Sequence, residues 1–599
     1  MSADQSSMNQ LITDNIDIWT STVKTKSASG RGSRKKRELY GVKKLRELIL
    51  ELAVRGKLVP QDSTDEPSSV LLERIAEEKA QLVKEKKIKK PKNLPEISDE
   101  EKSFVLPVGW EWAHLQDLTT YVQRGKGPKY AESGSVQVVS QKCVQNSGFD
   151  LSPARYVTDE SLEKYQEERY LQDNDILWNS TGTGTVGRAN VITNIPEKRI
   201  VADSHVTVIR PTNFYSRFLW CFIMAPGVQA RIQPDHENAL VSGSTKQVEL
   251  NTSSVVSVIV PVAPLKEQHR IVAKVDELMT LCDQLEQQTE ASIAAHQVLV
   301  TTLLDTLTNS SDADELMQNW ARISEHFDTL FTTEASIDKL KQTILQLAVM
   351  GKLVPQDPND EPAEKLLDRI AEEKAQLIKE KKIKKQKALP PITDDEKPFE
   401  LPNGWEWCRF SDMSNEVATG PFGSMIHKRD YIEGGTPLIN PSHMIDSKII
   451  EDNSITVSDI KVSELSSYKL FENDIVMARR GEMGRCALVS KREEGWLCGT
   501  GSFVLRFNQS LSREYILLMF RTSYVREYLG GESIGTTMTN LNHGILNKMP
   551  LLLPPIEQQH RITTKVKEMV ALCNKLKARL KESQTTQVQL TDAIVEQAV

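Results

Sequence analysis

The chain has 599 residues, 39% hydrophobic and 26% charged, with 75 Lys+Arg against 82 Asp+Glu and a net charge of −7. At about 150 residues per domain, about four domains are expected; no run of about 18 uncharged apolar residues suggests a transmembrane helix, and MSADQSSMNQLITDN lacks an export pattern. Seven scattered cysteines without a CxxC pair argue against a disulfide framework or zinc site and predict reduced thiols in a cytoplasmic protein, while the acidic excess argues against a basic, free-standing nucleic-acid binder.

In chain order, residues 1–42 form a polar and basic segment, with Ser27–Arg37 reading as flexible. Leu45–Val54 has helical apolar spacing, and Gly56-Lys57 ends it as a C-cap would. Leu71–Ile88 reads as a second helix, whose end carries the run KEKKIKK at Lys84–Lys90. Such a run is usually a solvated face; contact with phosphates is the sharper reading. Residues 113–258 then become strand-rich, with VQVVSQKCV, NDILWNS, RANVIT and SHVTVIRP separated by Gly, Ser and Asn turns, and a short helix over Phe218–Met224. After Pro264, Ile271, Val275, Leu278, Cys282 and Leu285 step by four and three, which predicts a coiled-coil-like seam.

The order then repeats. Leu340–Trp407 matches Leu45–Trp112 at a shift of 295 residues, with 48 identities in 68 positions. Leu340–Val349 and Leu366–Ile383 are the predicted helices, with Gly351-Lys352 as the stop and Lys379–Lys385 as the second KEKKIKK. Residues 408–549 form a second strand-rich stretch, in which NDIVMARR, CALVS and GSFVLRF read as strands and Tyr515–Phe520 as a short helix. After Pro555 the seam returns as Ile562, Val566, Met569, Cys573 and Leu576, at a shift of 291. Two near-identical helical frames thus carry two divergent domains, as expected for a duplication with pseudo-two-fold packing.

Gly182-Thr-Gly-Thr-Val-Gly187 matches a dinucleotide fingerprint, with Asp203 about the right distance on. A strand-like ANVIT follows instead of a helix, so a polar Gly-rich hairpin is the better reading. This hairpin shares a frame with the second domain: Asn174–Leu177 leads to Gly187-Arg188, and Asn473–Val476 leads to Gly484-Arg485. Between lie Ser180, Thr181 and Thr183 in one, and Arg479, Arg480 and Glu482 in the other. Arg can pair bidentately with guanine, Glu can accept from cytosine, and Ser or Thr can bond either. Further polar turns hold Arg124, Lys126, Lys129, Ser244, Lys246 and Gln247 in the first domain, and Ser424, Lys428, Arg429, Thr537 and Asn540 in the second. Residues 113–258 carry 14 basic and 15 acidic residues, and 408–549 carry 16 and 17, so any DNA face is a local patch. Phosphate-loop, HExxH and GxSxG patterns are absent, and His269 and His560 have no nearby nucleophile, so no active site is expected.

Several segments together resemble the specificity subunit of type I restriction–modification enzymes, in the subfamily with large subunits. They are Glu267–Ile271 and Gln558–Ile562, LAVRGKLVPQD, IAEEKAQLIKEKKIKK, and Thr419-Gly-Pro-Phe-Gly-Ser424 followed by Tyr431 and Pro437–Asn440. The resemblance runs from about Leu39 to the end. It implies an α+β fold: two mixed, strand-rich target-recognition domains joined by duplicated long-helix, coiled-coil-like conserved regions. The implied layout is 1–42 polar segment, 43–112 conserved helices, 113–258 first target domain, 259–407 central conserved helices, 408–549 second target domain and 550–599 C-terminal helix. It further implies a non-catalytic subunit whose domains each read half of a bipartite, asymmetric duplex site. The helices would set the spacer and dock two adenine-methylating modification subunits, with seam residues such as Leu278, Leu285, Met569 and Leu576 as candidates for that contact. Restriction subunits would join, and S-adenosylmethionine, ATP and Mg would sit on the partners, with no cofactor on this chain and no membrane contact. The rival reading is a duplicated protein-interaction scaffold without sequence-specific DNA binding.

Overall fold

A computed structural model describes residues 4–26, 36–163, 165–182, 184–244, 247–311, 313–386, 388–480, 484–531 and 541–599. The chain forms two compact units, Met1–Ser292 with Ser583–Val599, and Ile293–Glu582. Each unit holds one variable domain and its own helical frame, so the four expected domains resolve into two such units. No described helix is long and apolar enough to cross a membrane.

In the first unit, helices Asp4–Asp14 and Ile16–Ser21 and the strand pair Val23–Lys26 with Lys36–Leu39 precede helix Tyr40–Val54. Trp19 is completely buried, so much of the polar opening segment is folded; Ser27–Lys35 lie outside the described residues. Helix Tyr40–Val54 ends as the sequence predicts. Gly56 takes φ +67, its N–H bonds Ala53, and the Lys57 N–H reaches back to Leu52 at 2.9 Å. Gly351 and Lys352 repeat this closure after helix Glu334–Val349. The two-bond pattern satisfies carbonyls that a helix end leaves unpaired, and glycine adopts the left-handed turn without penalty.

The next helices, Ser68–Lys84 and Ala363–Lys379, stop four residues earlier than the periodicity suggests. Lys86 and Lys381 turn left-handed at φ 60 and 59, so most of each KEKKIKK run lies beyond the helix.

The two variable domains share one topology despite their sequences. The first has an antiparallel sheet in the order Ala189–Val191, Ile176–Asn179, Val206–Pro211, Thr119–Arg124. The second has Cys486–Leu488, Ile475–Ala478, Ser502–Phe507, Ser414–Thr419 in the same order. A smaller four-stranded sheet, which includes one parallel pair, is likewise common to both. Strand Glu111–His114 pairs with Ile259–Val262, and Glu406–Arg409 with Pro550–Leu553. The entry and exit of each domain are therefore neighbours, and a divergent domain fits between them without disturbing the frame.

The predicted seams lie on helices Leu265–Asn309 and Ile556–Ala598. Ile271, Val275, Leu278, Leu285, Ile562 and Val566 are buried, and Met569 and Leu576 pack against the core of their unit. This corrects the assignment of the six buried residues as partner contacts, since the chain itself covers them; Met569 and Leu576 are half-buried. Arg46 bonds Asp283 and Glu286, and Lys341 and Lys577 bond Asn574 and Asp338, which places helices Tyr40–Val54 and Glu334–Val349 beside the two seams.

Candidate nucleic-acid interface

The frame shared by the two hairpins has a structural cause. Asn174 and Asn473 hold φ 69 and 70, a left-handed turn that Asn tolerates better than most residues. The next residue, Asp175 or Asp474, turns its carboxylate back onto the backbone N–H of Gln172 or Phe471, at 2.9 and 3.0 Å. Arg210 and Arg506 complete the pairs from the neighbouring strand. These residues anchor the base of each hairpin, and the variable tips lie at the far end of its first strand.

At the first tip the residues divide. Ser180 is fully buried, its hydroxyl held by Thr207 at 2.5 Å and its backbone by His205 and Leu250. It is a buried residue just past the end of strand Ile176–Asn179, which corrects its placement among base readers. Thr181 is half-buried and bonds His205 Nδ1 at 2.6 Å. Arg188 donates to the Gln145 side chain and, at 2.6 Å, to the Gly184 carbonyl. Arg124 donates to the Ser204 carbonyl at 2.9 Å and pairs with Glu249. Lys126 is exposed with its ammonium 5.9 Å from the Tyr165 ring centroid, and exposed Lys129 pairs with Glu160 at 3.1 Å. Thr183 and Lys246, and the side chains of Ser244 and Gln247, lie outside the described residues. No helix follows Gly187; strand Ala189–Val191 does, which rules out a pyrophosphate-binding turn. Asp203 is buried and accepts from the His205 N–H at 2.8 Å.

Beside this tip is a concavity of about 190 Å³ lined by Tyr130, Gln141, Lys142, Arg155 and His205 among others. The Arg155 guanidinium lies 4.9 Å from the Tyr130 ring centroid, and Gln141 accepts from Thr185 at 3.0 Å. Sequence reasoning missed this group because it comes from separate loops and short strands and has no common spacing. A stacked aromatic, a cation and amide groups suit a nucleic-acid base edge or phosphate.

The second tip is built differently. Arg479 is half-buried, with its guanidinium 4.8 Å from the Phe503 ring centroid and directed at the Leu541 carbonyl. His543 bonds Thr419 at 3.2 Å and packs edge-on against Phe503. Arg480 is exposed, and Arg485 reaches the Pro441 carbonyl at 3.4 Å. In the loop after Thr419, Phe422, Ser424, Lys428 and Arg429 are all exposed. Glu482, Thr537 and Asn540 lie outside the described residues. The first turns of both reader loops need glycine. A Cβ on Gly125 would sit 2.2 Å from the Ala202 carbonyl oxygen, and one on Gly420 2.2 Å from that of Gly499.

The first turn of each long helix ties the parts of its unit together. Gln268 is buried; its amide donates to Ala263 at 2.8 Å and its carbonyl accepts from the Tyr215 N–H at 3.1 Å. Gln559 does the same with Pro554 at 2.9 Å and the Ser512 N–H at 3.0 Å. Tyr215 and Ser512 are the N-caps of the short helices Ser216–Met224 and Arg513–Phe520. Arg270 bonds Asp65 at 2.6 Å, and Arg561 bonds Asp360, joining each helix to the loop of its own frame. Lys79 donates to Gln116 and Asp117, and Lys374 to Ser411 and Ser414, from the preceding helices. Burial holds both lysines below the ordinary range. The Gln-His-Arg repeats and one lysine of each AEEKAQL are therefore fasteners. Among the described residues no His, Cys, Asp and Glu cluster could hold a metal ion.

Comparison with known proteins agrees with this arrangement. The profile of the type I restriction modification DNA specificity domain matches residues 107–295 and 402–583. The EcoAI specificity subunit of Escherichia coli is 41% identical over 605 residues, covering 99% of this chain and all of the relative. The EcoEI specificity subunit, also from Escherichia coli, is 40% identical over 608 residues with the same coverage. A chain from a solved type I restriction–modification system aligns over 83% of this chain and 98% of its own length, at 16% identity and a TM-score of 0.48. The protein belongs to the specificity subunits of type I restriction–modification systems, the DNA-recognition components of those enzymes.

Proposed function

We propose that each variable domain reads one half of a bipartite, asymmetric duplex site, and that the helical regions set the spacer and dock two adenine-methylating subunits. One observation carries this reading: two domains of identical strand order present different side chains at the same hairpin tip, on frames that are nearly identical. Identical frames suit identical partners, and differing tips suit differing half-sites. Half-sites about one helical turn apart would place both readers on one side of the duplex. The chain would do no chemistry. The modification subunits would bring S-adenosylmethionine and flip the target adenine; restriction subunits would bring ATP- and Mg-dependent activity, all in the cytoplasm.

A net charge of −7 fits a reader whose grip on DNA is shared with its partners. The test is to co-express the chain with its modification subunits and sequence the methylated DNA. An interrupted, asymmetric motif is expected. Methylation without a motif would overturn the reading and favour a protein scaffold.

A further inference from the structure

We infer that Gln268 and Gln559 are positioning residues that hold each target domain in register with its long helix, and so make recognition sensitive to spacer length. The inference rests on the bipartite reading above. Each Gln is fully buried, and each makes its two described bonds to main-chain atoms of the neighbouring segments: one N–H at a short-helix N-cap and one carbonyl before the long helix. Main-chain partners explain how one residue serves two domains of unrelated sequence. The contact asks only for a backbone N–H at a set place, and Tyr215 and Ser512 supply it equally.

The clip joins the N-cap of the short helix to the start of the long helix in both units, and an ion pair further along the long helix, Arg217–Asp276 or Glu514–Lys567, joins the same two helices. Arg270–Asp65 and Arg561–Asp360 fix the same helix turn to the frame on another side. A target domain freed from the clip would keep its fold and rock on its apolar contacts and on one exposed, weakly restraining ion pair. Each added base pair moves a half-site by about 3.4 Å and, at about 10.5 pairs per turn, by about a tenth of a turn. A rigid mount penalises that displacement, and a loose one absorbs it.

The test uses the full complex with its modification subunits. The DNA panel keeps both half-sites, as identified by sequencing, and varies the spacer by one or two base pairs in each direction. The parent should methylate the native spacer best. Gln268→Ala and Gln559→Ala should each lower the preference for the native spacer by about tenfold, the equivalent of one buried hydrogen bond. A second pair of variants separates positioning from folding. Tyr215→Pro removes the N–H that Gln268 accepts, and φ −73 at this position suits proline. Tyr215→Ala keeps the N–H and loses the ring. The proline variant should lose spacer preference, and the alanine variant should keep it. An unchanged spacer profile in the two Gln variants, or equal loss in both Tyr215 variants, would overturn the inference. A parent without spacer preference would instead contradict the bipartite reading.

Discussion

Asp175 and Arg210 form a two-bond pair, each bond 2.8 Å long, with the Asp175 carboxylate completely buried. Asp474 and Arg506 occupy the same place in the second domain, at 3.2 and 3.4 Å. An unpaired buried charge is costly, so Arg210→Ala and Arg506→Ala should each destabilise the domain that carries it by about 3–5 kcal/mol. Urea unfolding of the two variants would show the loss. A shift of less than about 1 kcal/mol would mean that water compensates for the missing guanidinium.

The repeats differ at one buried site in a way that predicts pH dependence. Glu267 is buried and accepts from the Trp110 indole at 3.1 Å, whereas the equivalent residue of the second unit is Gln558. Burial pushes the Glu267 carboxyl up. A raised carboxyl contributes stability at low pH and loses it as pH rises through its folded value. Glu267→Gln should therefore raise the melting temperature at pH 8, with the gain shrinking as the pH falls toward about 4. Melting curves at four or five pH values would check this; a gain that grew on acidification would contradict it.

Gly125 and Gly420 allow the reader loops to lie against the strands beside them. Their would-be Cβ contacts are backbone oxygens at or just beyond strand ends, of Ala202 and Asp203 for Gly125 and of Gly499 for Gly420, and backbone cannot easily step aside. Gly125→Ala and Gly420→Ala should each destabilise the protein by about 1–3 kcal/mol. Each should also weaken methylation through its own half-site. Wild-type unfolding and methylation would show that these loops yield more readily than the geometry implies.

The arginines near the hairpin tips should act on one half-site each. Arg188→Ala should weaken recognition of the half read by the first domain by about 1–3 kcal/mol per lost base contact, and Arg480→Ala that of the other. Competition binding with DNA altered in one half at a time separates the two. Equal weakening on all sequences would make these residues phosphate contacts; no change at any salt concentration would make Arg188 a loop brace through Gln145 and Gly184.

Much of the fold was legible because it repeats. The 295-residue shift, the Gly56 and Gly351 stops and the four-three seams follow from spacing alone, and each has its predicted place in the structure. The site was less legible. Asn174-Asp175 and Ser180 stand in the same polar stretch as the tip residues, and sequence does not tell a polar residue that braces a sheet from one that faces solvent. Ser180 bonds Thr207 from a strand 27 residues away, a pairing that only the sheet creates. The seam was read correctly as apolar, but its six buried residues were assigned to the wrong contact, since spacing shows that a face is covered and not by what. His205, Gln141 and Arg155 had no signal, because two separate loops and a strand end bring them together.

The most direct test replaces residues 113–258 with the first target domain of a related specificity subunit and sequences the DNA methylated by the resulting complex. One half of the motif should change, while the other half and the spacer stay as in the parent. A change in both halves, in neither, or a loss of sequence dependence in a complex that still assembles and methylates would contradict the account.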